Sequence, residues 1–150
     1  MVDLKIQSLT SDSQPASRPQ PSKSSTGDLK GTFEVRLKTV RRENLDGDLK
    51  GMLRQVKDRG KQFLAGPTEA KLQSYKDGIK QFLERVRKEL FSLHNELGSS
   101  QDGQQKVFQL IETVDGEVDN LTREMLQNDK ALLLLGSLDD IRGLALDVIG

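Results

Sequence analysis

The chain has 150 residues, of which 34% are hydrophobic and 31% are charged, a composition typical of one polar but folded domain. Lys and Arg together number 23, as do Asp and Glu, so net charge alone favours no polyanionic partner. The absence of cysteine excludes disulfides, thiolate metal sites and cysteine nucleophiles.

The balanced total hides an uneven distribution of charge. Residues 1–100 carry 19 basic and 13 acidic side chains, whereas residues 101–150 carry four basic and ten acidic ones. A chain polarised in this way could bring its own halves together, associate head to tail, or bind a charged partner.

Residues 1–28 are rich in Ser, Pro and Gln and contain three of the four prolines. Such a segment buries too little apolar surface to offset the entropy of ordering, so we predict a disordered tail. A role as a Pro-rich ligand is the weaker alternative, because the P-x-x-P spacing is absent. The N-terminus also lacks the apolar core of a secretory signal, which predicts a cytoplasmic protein.

Residues 29–43 are ambiguous. Phe33, Val35 and Leu37 alternate with charged residues, a pattern typical of a strand. A lone strand would have no partner, so we expect a short helix or an extended arm that packs on the remainder, residues 29–150 forming one domain.

From residue 45 onward, apolar residues recur at helical spacing. Gly66 and Pro67 end the first helix, Gly98 ends the second, and Asn128 or Asp129 caps the last unless the third and fourth helices are continuous. The four apolar faces predict an all-α protein, an antiparallel four-helix bundle. Their members are Leu45, Leu49, Met52, Val56 and Phe63; Leu72, Tyr75, Ile79, Phe82, Val86, Leu90, Leu93 and Leu97; Val107, Ile111, Val114, Val118, Leu121 and Met125; and Leu134, Leu138, Ile141, Ala145 and Val148.

The leucine-rich C-terminal segment LLLLGSLDDIRGLALDVIG raises the question of a membrane anchor. A spanning helix needs about 20 mostly apolar residues. Asp139, Asp140, Arg142 and Asp147 interrupt this segment, and a central Asp or Arg costs roughly 2.5–3.5 kcal/mol on insertion. We therefore predict an amphipathic helix and no membrane association.

Five glycines lie inside the helical patterns: Gly60, Gly78, Gly116, Gly136 and Gly143. Each costs about 1 kcal/mol relative to alanine in a helix. Either they let neighbouring helices approach closely, or the bundle is soft and gains stability from a partner.

The predicted helices bring together no set of residues that could carry catalysis or bind a cofactor. His94 is expected on a helix surface rather than as a general base. Glu112, Asp115 and Asp119 share a helix face, but a solvated acidic row is the expected reading over a cation site. The phosphate-binding glycine loops are absent. The sequence therefore predicts no catalytic residues, no metal and no cofactor.

Basic residues cluster between residues 36 and 61, where Arg54, Lys57 and Lys61 share one helical face at i, i+3 and i+7. Arg85 and Lys88 add charge to the second long helix. These five residues are the candidate interaction surface. Nucleic-acid binders usually present a denser basic row with exposed aromatic residues, so a solvated or internally paired face is the stronger interpretation.

Three stretches together resemble the YaaR family of small bacterial proteins: GPTEAKLQSYKDGIKQFLERV (66–86), KVFQLIETVDGEVDNLTREML (106–126) and LLLLGSLDDIRGLALDVI (132–149). The resemblance covers residues 29–150 in order and spacing. It implies a compact helical fold and supplies no catalytic residues.

The leading functional hypothesis is a non-enzymatic helical-bundle protein that binds another protein or itself. The alternative is a nucleic-acid-binding protein that uses the basic face around Arg54, Lys57 and Lys61, with an affinity that falls steeply with salt.

Overall fold

The computed structural model describes the backbone of residues 26–97 and 102–150, and the side chains of residues 31–96 and 103–150. Within these ranges the chain is almost entirely helical. Four long helices are present, together with a single helical turn, α4 (Arg123–Met125), and a kinked segment, Leu126–Lys130, in which Asn128 and Asp129 have non-helical backbone angles. The long helices are α1 (Thr26–Ala65), α2 (Glu69–Leu97), α3 (Asp102–Asp119) and α5 (Ala131–Ile149).

The chain divides into two compact units, residues 1–37 and 38–150. The described part of the first unit is the beginning of α1, and the second unit contains the bundle. Most of the predicted tail, residues 1–25, lies outside the described residues, and α1 begins at Thr26. The segment 29–43 is therefore a continuation of the first long helix, neither short nor extended. Phe33 and Leu37 are four residues apart, so on this helix they share one exposed side.

The helices α1 and α2 run antiparallel. Near the end of α1, the Arg59 guanidinium donates a hydrogen bond to the carbonyl of Ser74, at 2.9 Å. Further back along α1, Asp48 pairs with Arg85 at 3.1 Å. Residue numbers therefore fall along α2 as they rise along α1.

The remaining helices complete the antiparallel four-helix bundle. The rings of Phe91 and Phe108, on α2 and α3, have centroids 5.4 Å apart. Arg142 on α5 bonds Asp46 on α1 at 2.5 Å, so the last helix lies beside the first. Each long helix has an antiparallel neighbour on either side, as in an up-down-up-down bundle.

The predicted apolar faces form the core. In each long helix the side chains at helical spacing are buried, including Leu45, Phe63, Phe82 and Ile111 at 0% exposure. Two members of the predicted faces, Met52 and Val148, are only half-buried. Leu146 and Ile149 are buried at the end of α5. Two further predictions, the side chain of Leu97 and the stop at Gly98, lie outside the described residues.

The first connection follows the predicted signals. The amide of Gly66 donates to the carbonyls of Gln62 and Phe63, which closes α1. The Thr68 hydroxyl then accepts a hydrogen bond from the backbone amide of Lys71, at 3.1 Å, and so caps α2.

The third and fourth helices are not continuous, and this corrects the predicted unbroken face from Val107 to Met125. The helix α3 ends at Asp119, and the Thr122 hydroxyl caps a new turn by accepting from the amide of Met125 at 3.2 Å. The restart turns Met125 outward, to 38% exposure, and Leu126 is buried at 1%. A second break at Asn128 and Asp129, both with non-helical backbone angles, precedes α5.

Candidate interaction surfaces

The interior of residues 38–150 is apolar. Among the described side chains, the only buried polar residue is Gln104, at 1% exposure. His94 is half-buried on α2, where none of the described residues pairs with it. The described residues also contain no group of three or more His, Asp or Glu side chains placed to hold a metal ion.

The acidic row on α3 is paired with basic side chains of α2. Asp115 and Asp119 both bond the ammonium group of Lys80, each at 2.6 Å. Glu112 lies 3.5 Å from the guanidinium of Arg87. One oxygen of each carboxylate thus faces a cation of α2, so the acidic row links α3 to α2.

The five candidate residues do not form one surface. Arg85 pairs with Asp48 on α1 at 3.1 Å and with Glu89, one turn later on α2, at 2.9 Å. Lys88 is exposed on the same helix, away from Lys61 and its neighbours on α1. Arg85 therefore belongs to an ion-pair network between α1 and α2.

That network centres on the carboxylate of Glu89, whose side chain is 12% exposed. Burial alone would raise the pKa of this carboxyl, but hydrogen bonds and charge from Arg41 and Arg85 outweigh it and lower the pKa below its ordinary value. The pKa values of the Arg41 and Arg85 guanidinium groups move upward, because the carboxylates beside them outweigh the cost of burial. This cluster stabilises the fold.

The other three candidates do share one surface, which we call the basic face: Arg54, Lys57 and Lys61 on α1. All three are exposed. None of them has an ion-pair partner among the described residues, in contrast to Lys50, one turn earlier, which pairs with Asp46 at 3.2 Å. Leu53 and Leu135 lie beside Arg54 and Lys57 in a shallow depression of about 400 Å³ between α1 and α5.

A groove of about 580 Å³ lies on the other side of α5, between α5 and α3. Its lining includes the apolar side chains of Leu110, Val114 and Leu144 and the carboxylates of Glu117, Asp140 and Asp147. The Asp139–Arg142 ion pair also lines it, and the same pair borders the depression beside the basic face. Glu117 has a distant partner, Lys130 at 3.8 Å. Neither Asp140 nor Asp147 is paired with any described residue. We call this feature the acidic groove.

The acidic groove was not among the predicted sites. Its sequence signal is the seven-residue spacing of Asp140 and Asp147, which places both carboxylates on one side of a helix, with Gly143 between them. Nothing lies within 4 Å of where a Cβ atom at Gly143 would be, so its backbone borders open space in the groove.

Exposed leucines mark one end of the bundle. Leu132 and Leu133, at the beginning of α5, are 71% and 65% exposed, and Leu64, at the end of α1, is 52% exposed. The antiparallel course of α1 and α5 places these positions at the same end. Of the four consecutive leucines at 132–135, Leu134 is buried, Leu135 is half-buried and the other two are exposed. None of the described helices is both long enough and apolar enough to cross a membrane.

Comparison with known proteins gives a family and no activity. The family model of DUF327, described as a protein of unknown function, matches residues 6–149. No curated protein and no solved structure matches the chain. DUF327 is the YaaR family, so the resemblance seen in the sequence is confirmed: this chain belongs to the DUF327 (YaaR) family of helical proteins.

Proposed function

We propose that this protein acts by binding another protein or a second copy of itself, and that it is not an enzyme. The observation that carries the proposal is the exposure of Leu132 and Leu133, two adjacent large apolar side chains, with Leu64 at the same end of the bundle. Single exposed leucines are common on soluble proteins, but several large apolar side chains exposed at one end of a bundle favour an interaction site there.

The polar environment supports a binding role as well. Titratable groups that lie close together in this bundle, such as Lys80 with Asp115 and Asp119, are matched as cation and anion. A catalytic acid or base instead needs a perturbed group left free to exchange a proton with a substrate.

The proposal is tested by affinity capture with the full chain at low salt, after nuclease treatment. We compare the wild type with Leu132→Ser/Leu133→Ser, and with Lys71→Ser/Lys106→Ser as a control at exposed positions on α2 and α3. We expect the leucine variant to lose the captured protein and the lysine variant to retain it. Equal capture by all three forms would contradict a role for the exposed leucines.

Nucleic-acid binding is the second candidate, and the unpaired cations of the basic face favour it. Each phosphate contact releases counterions, so three contacts would make the affinity fall steeply with salt. Retardation of RNA or DNA that is lost in Arg54→Glu/Lys61→Glu supports this candidate. Unretarded nucleic acid at low salt would eliminate it.

A further inference from the structure

We propose that copies of this protein associate head to tail, with the basic face of one copy in the acidic groove of the next. This inference rests on the proposed function and names its partner as a second copy of the chain. The two surfaces carry opposite charge, and charged groups on both lack an ion-pair partner in the described part of the chain. Arg54, Lys57 and Lys61 have no ion-pair partner among the described residues, and neither do Asp140 and Asp147.

The spacing of the charges matches along the two helices. Arg54 and Lys61 are seven residues apart on α1, and Asp140 and Asp147 are seven residues apart on α5. At 1.5 Å per residue, both separations are about 10.5 Å along the helix axis. Two cations of one copy can therefore reach two carboxylates of the next at the same time.

Long side chains on the basic face can extend into the groove of another copy. Arg54, Lys57 and Lys61 project from one exposed side of α1, and Arg54 and Lys57 border the shallow depression against α5. The acidic groove is a concavity with an apolar floor of Leu110, Val114 and Leu144, which charged side chains alone would leave uncovered. Leu64 lies seven residues after Lys57, on the same side of α1, and is 52% exposed, so it supplies apolar surface to cover that floor.

The position of the surfaces dictates the type of assembly. The basic face lies on α1, and the acidic groove lies between α5 and α3. The two have no residue in common, although Asp139 and Arg142 border both the groove and the depression beside the basic face, so one copy presents both surfaces at different positions. Such an interface is heterologous, and repetition gives a ring if the rotation closes or an open chain if it does not.

Sedimentation velocity of the full-length protein over a range of concentrations tests this proposal with two charge-reversal variants. Arg54→Glu/Lys61→Glu removes the basic face, and Asp140→Lys/Asp147→Lys removes the acidic groove. Lys71→Glu/Lys106→Glu makes the same change of charge as the first variant at exposed, unpaired lysines elsewhere in the described chain. We expect circular dichroism to show that all three remain folded, because every substituted side chain is exposed.

We expect the wild type to form species larger than a monomer, and to do so more weakly as salt rises. Each of the two reversal variants alone should associate at least about tenfold more weakly, whereas the Lys71/Lys106 variant should behave as the wild type. The decisive sample is an equimolar mixture of the two variants. Each retains the surface that the other lacks, so the mixture should form a dimer and stop there.

Three results would overturn the proposal: a wild type that is monomeric at every concentration, a reversal variant that associates as the wild type does, or a mixture that stays monomeric. A monomeric wild type that still captures another protein through Leu132 and Leu133 would overturn self-association while supporting the proposed function. If the wild type is monomeric and captures no protein either, both self-association and the proposed function are contradicted. RNA retardation with a monomeric mixture would assign the basic face to nucleic acid instead.

Discussion

The ring of Tyr75 on α2 lies against the bare backbone of Gly60 on α1. A Cβ atom at Gly60 would be 3.2 Å from Cε1 of Tyr75, and both residues are buried. At Gly78, a Cβ atom would be 3.3 Å from Cγ2 of Val56. These two glycines permit close approach of α1 and α2, whereas nothing lies within 4 Å of the corresponding position at Gly116, Gly136 or Gly143.

Alanine substitutions should therefore have opposite effects at these sites. Gly116→Ala should raise the free energy of unfolding by about 0.5–1 kcal/mol, because alanine loses less entropy in a helix. Gly60→Ala should lower it by about 1 kcal/mol, because a buried ring must move. Chemical denaturation measures both. An equal increase in the free energy of unfolding at the two sites would show that the ring of Tyr75 can shift at no cost.

The hydroxyl of Tyr75 leads to a second prediction. It is buried and forms no hydrogen bond with any described residue. Tyr75→Phe removes the cost of burying that group, so the free energy of unfolding should rise by about 1 kcal/mol. A loss of stability in chemical denaturation would instead mean that the hydroxyl has a hydrogen-bond partner.

Burial also raises the pKa of Tyr75 to about 12, which predicts a loss of stability in alkali. A raised pKa in the folded state means that stability is fully present below about pH 10, and is lost as pH rises toward 12. The chain has one tyrosine and no tryptophan, so tyrosinate absorbance reports this group directly. Titration at an ordinary pKa would contradict the burial, and Tyr75→Phe should abolish the absorbance change.

The ion-pair network around Glu89 gives a third prediction. Arg41 and Arg85 both bond this carboxylate, so Glu89→Gln leaves two guanidinium groups beside a neutral amide. The free energy of unfolding at neutral pH should fall by about 1–2 kcal/mol. Glu112→Gln is the matched control, because its side chain is 72% exposed and 3.5 Å from Arg87, and it should cost less than about 0.5 kcal/mol.

The pH dependence of the same variant follows from the lowered pKa of Glu89. The contribution of this carboxylate is present above its unfolded value of about 4.5 and is lost as pH falls through the folded value. Denaturation at pH values from about 6 to 3 should therefore show a shallower loss of stability for Glu89→Gln than for the wild type. Parallel curves would show that Glu89 does not couple to its arginines.

The four apolar faces could be predicted from the sequence, because the helical period alone decides which residues of a helix lie on its buried side. Helix continuity could not be predicted in the same way. The spacing of Met125 fits the third apolar face, but the cap at Thr122 starts a new helical turn with a different register. The extent of α1 was also missed, since the alternation of Phe33, Val35 and Leu37 resembles a strand until the absence of strand pairing in the described chain is known.

The candidate site was predictable only in part. The row of Arg54, Lys57 and Lys61 lies on one helix, so its geometry follows from local spacing. Arg85 was grouped with these residues because of its charge, but its partners Asp48 and Glu89 are decided by how α1 packs on α2. The acidic groove needs two helices to form, and no pattern within α5 alone specifies that α3 lies beside it.

The break before α5 gives the last prediction. Asp129 has a φ of 65°, the left-handed region that glycine and asparagine adopt more readily than other residues. Its carboxylate also lies near the N-terminus of α5, where negative charge is favourable, so Asp129→Asn serves as the control that removes charge alone. Relative to asparagine, glycine should raise the free energy of unfolding by about 0.5 kcal/mol, and valine should lower it by at least about 1 kcal/mol. Denaturation of the three variants gives the order, and a valine variant as stable as the asparagine one would show that the left-handed turn is not needed to place Leu134 and Leu138 in the core.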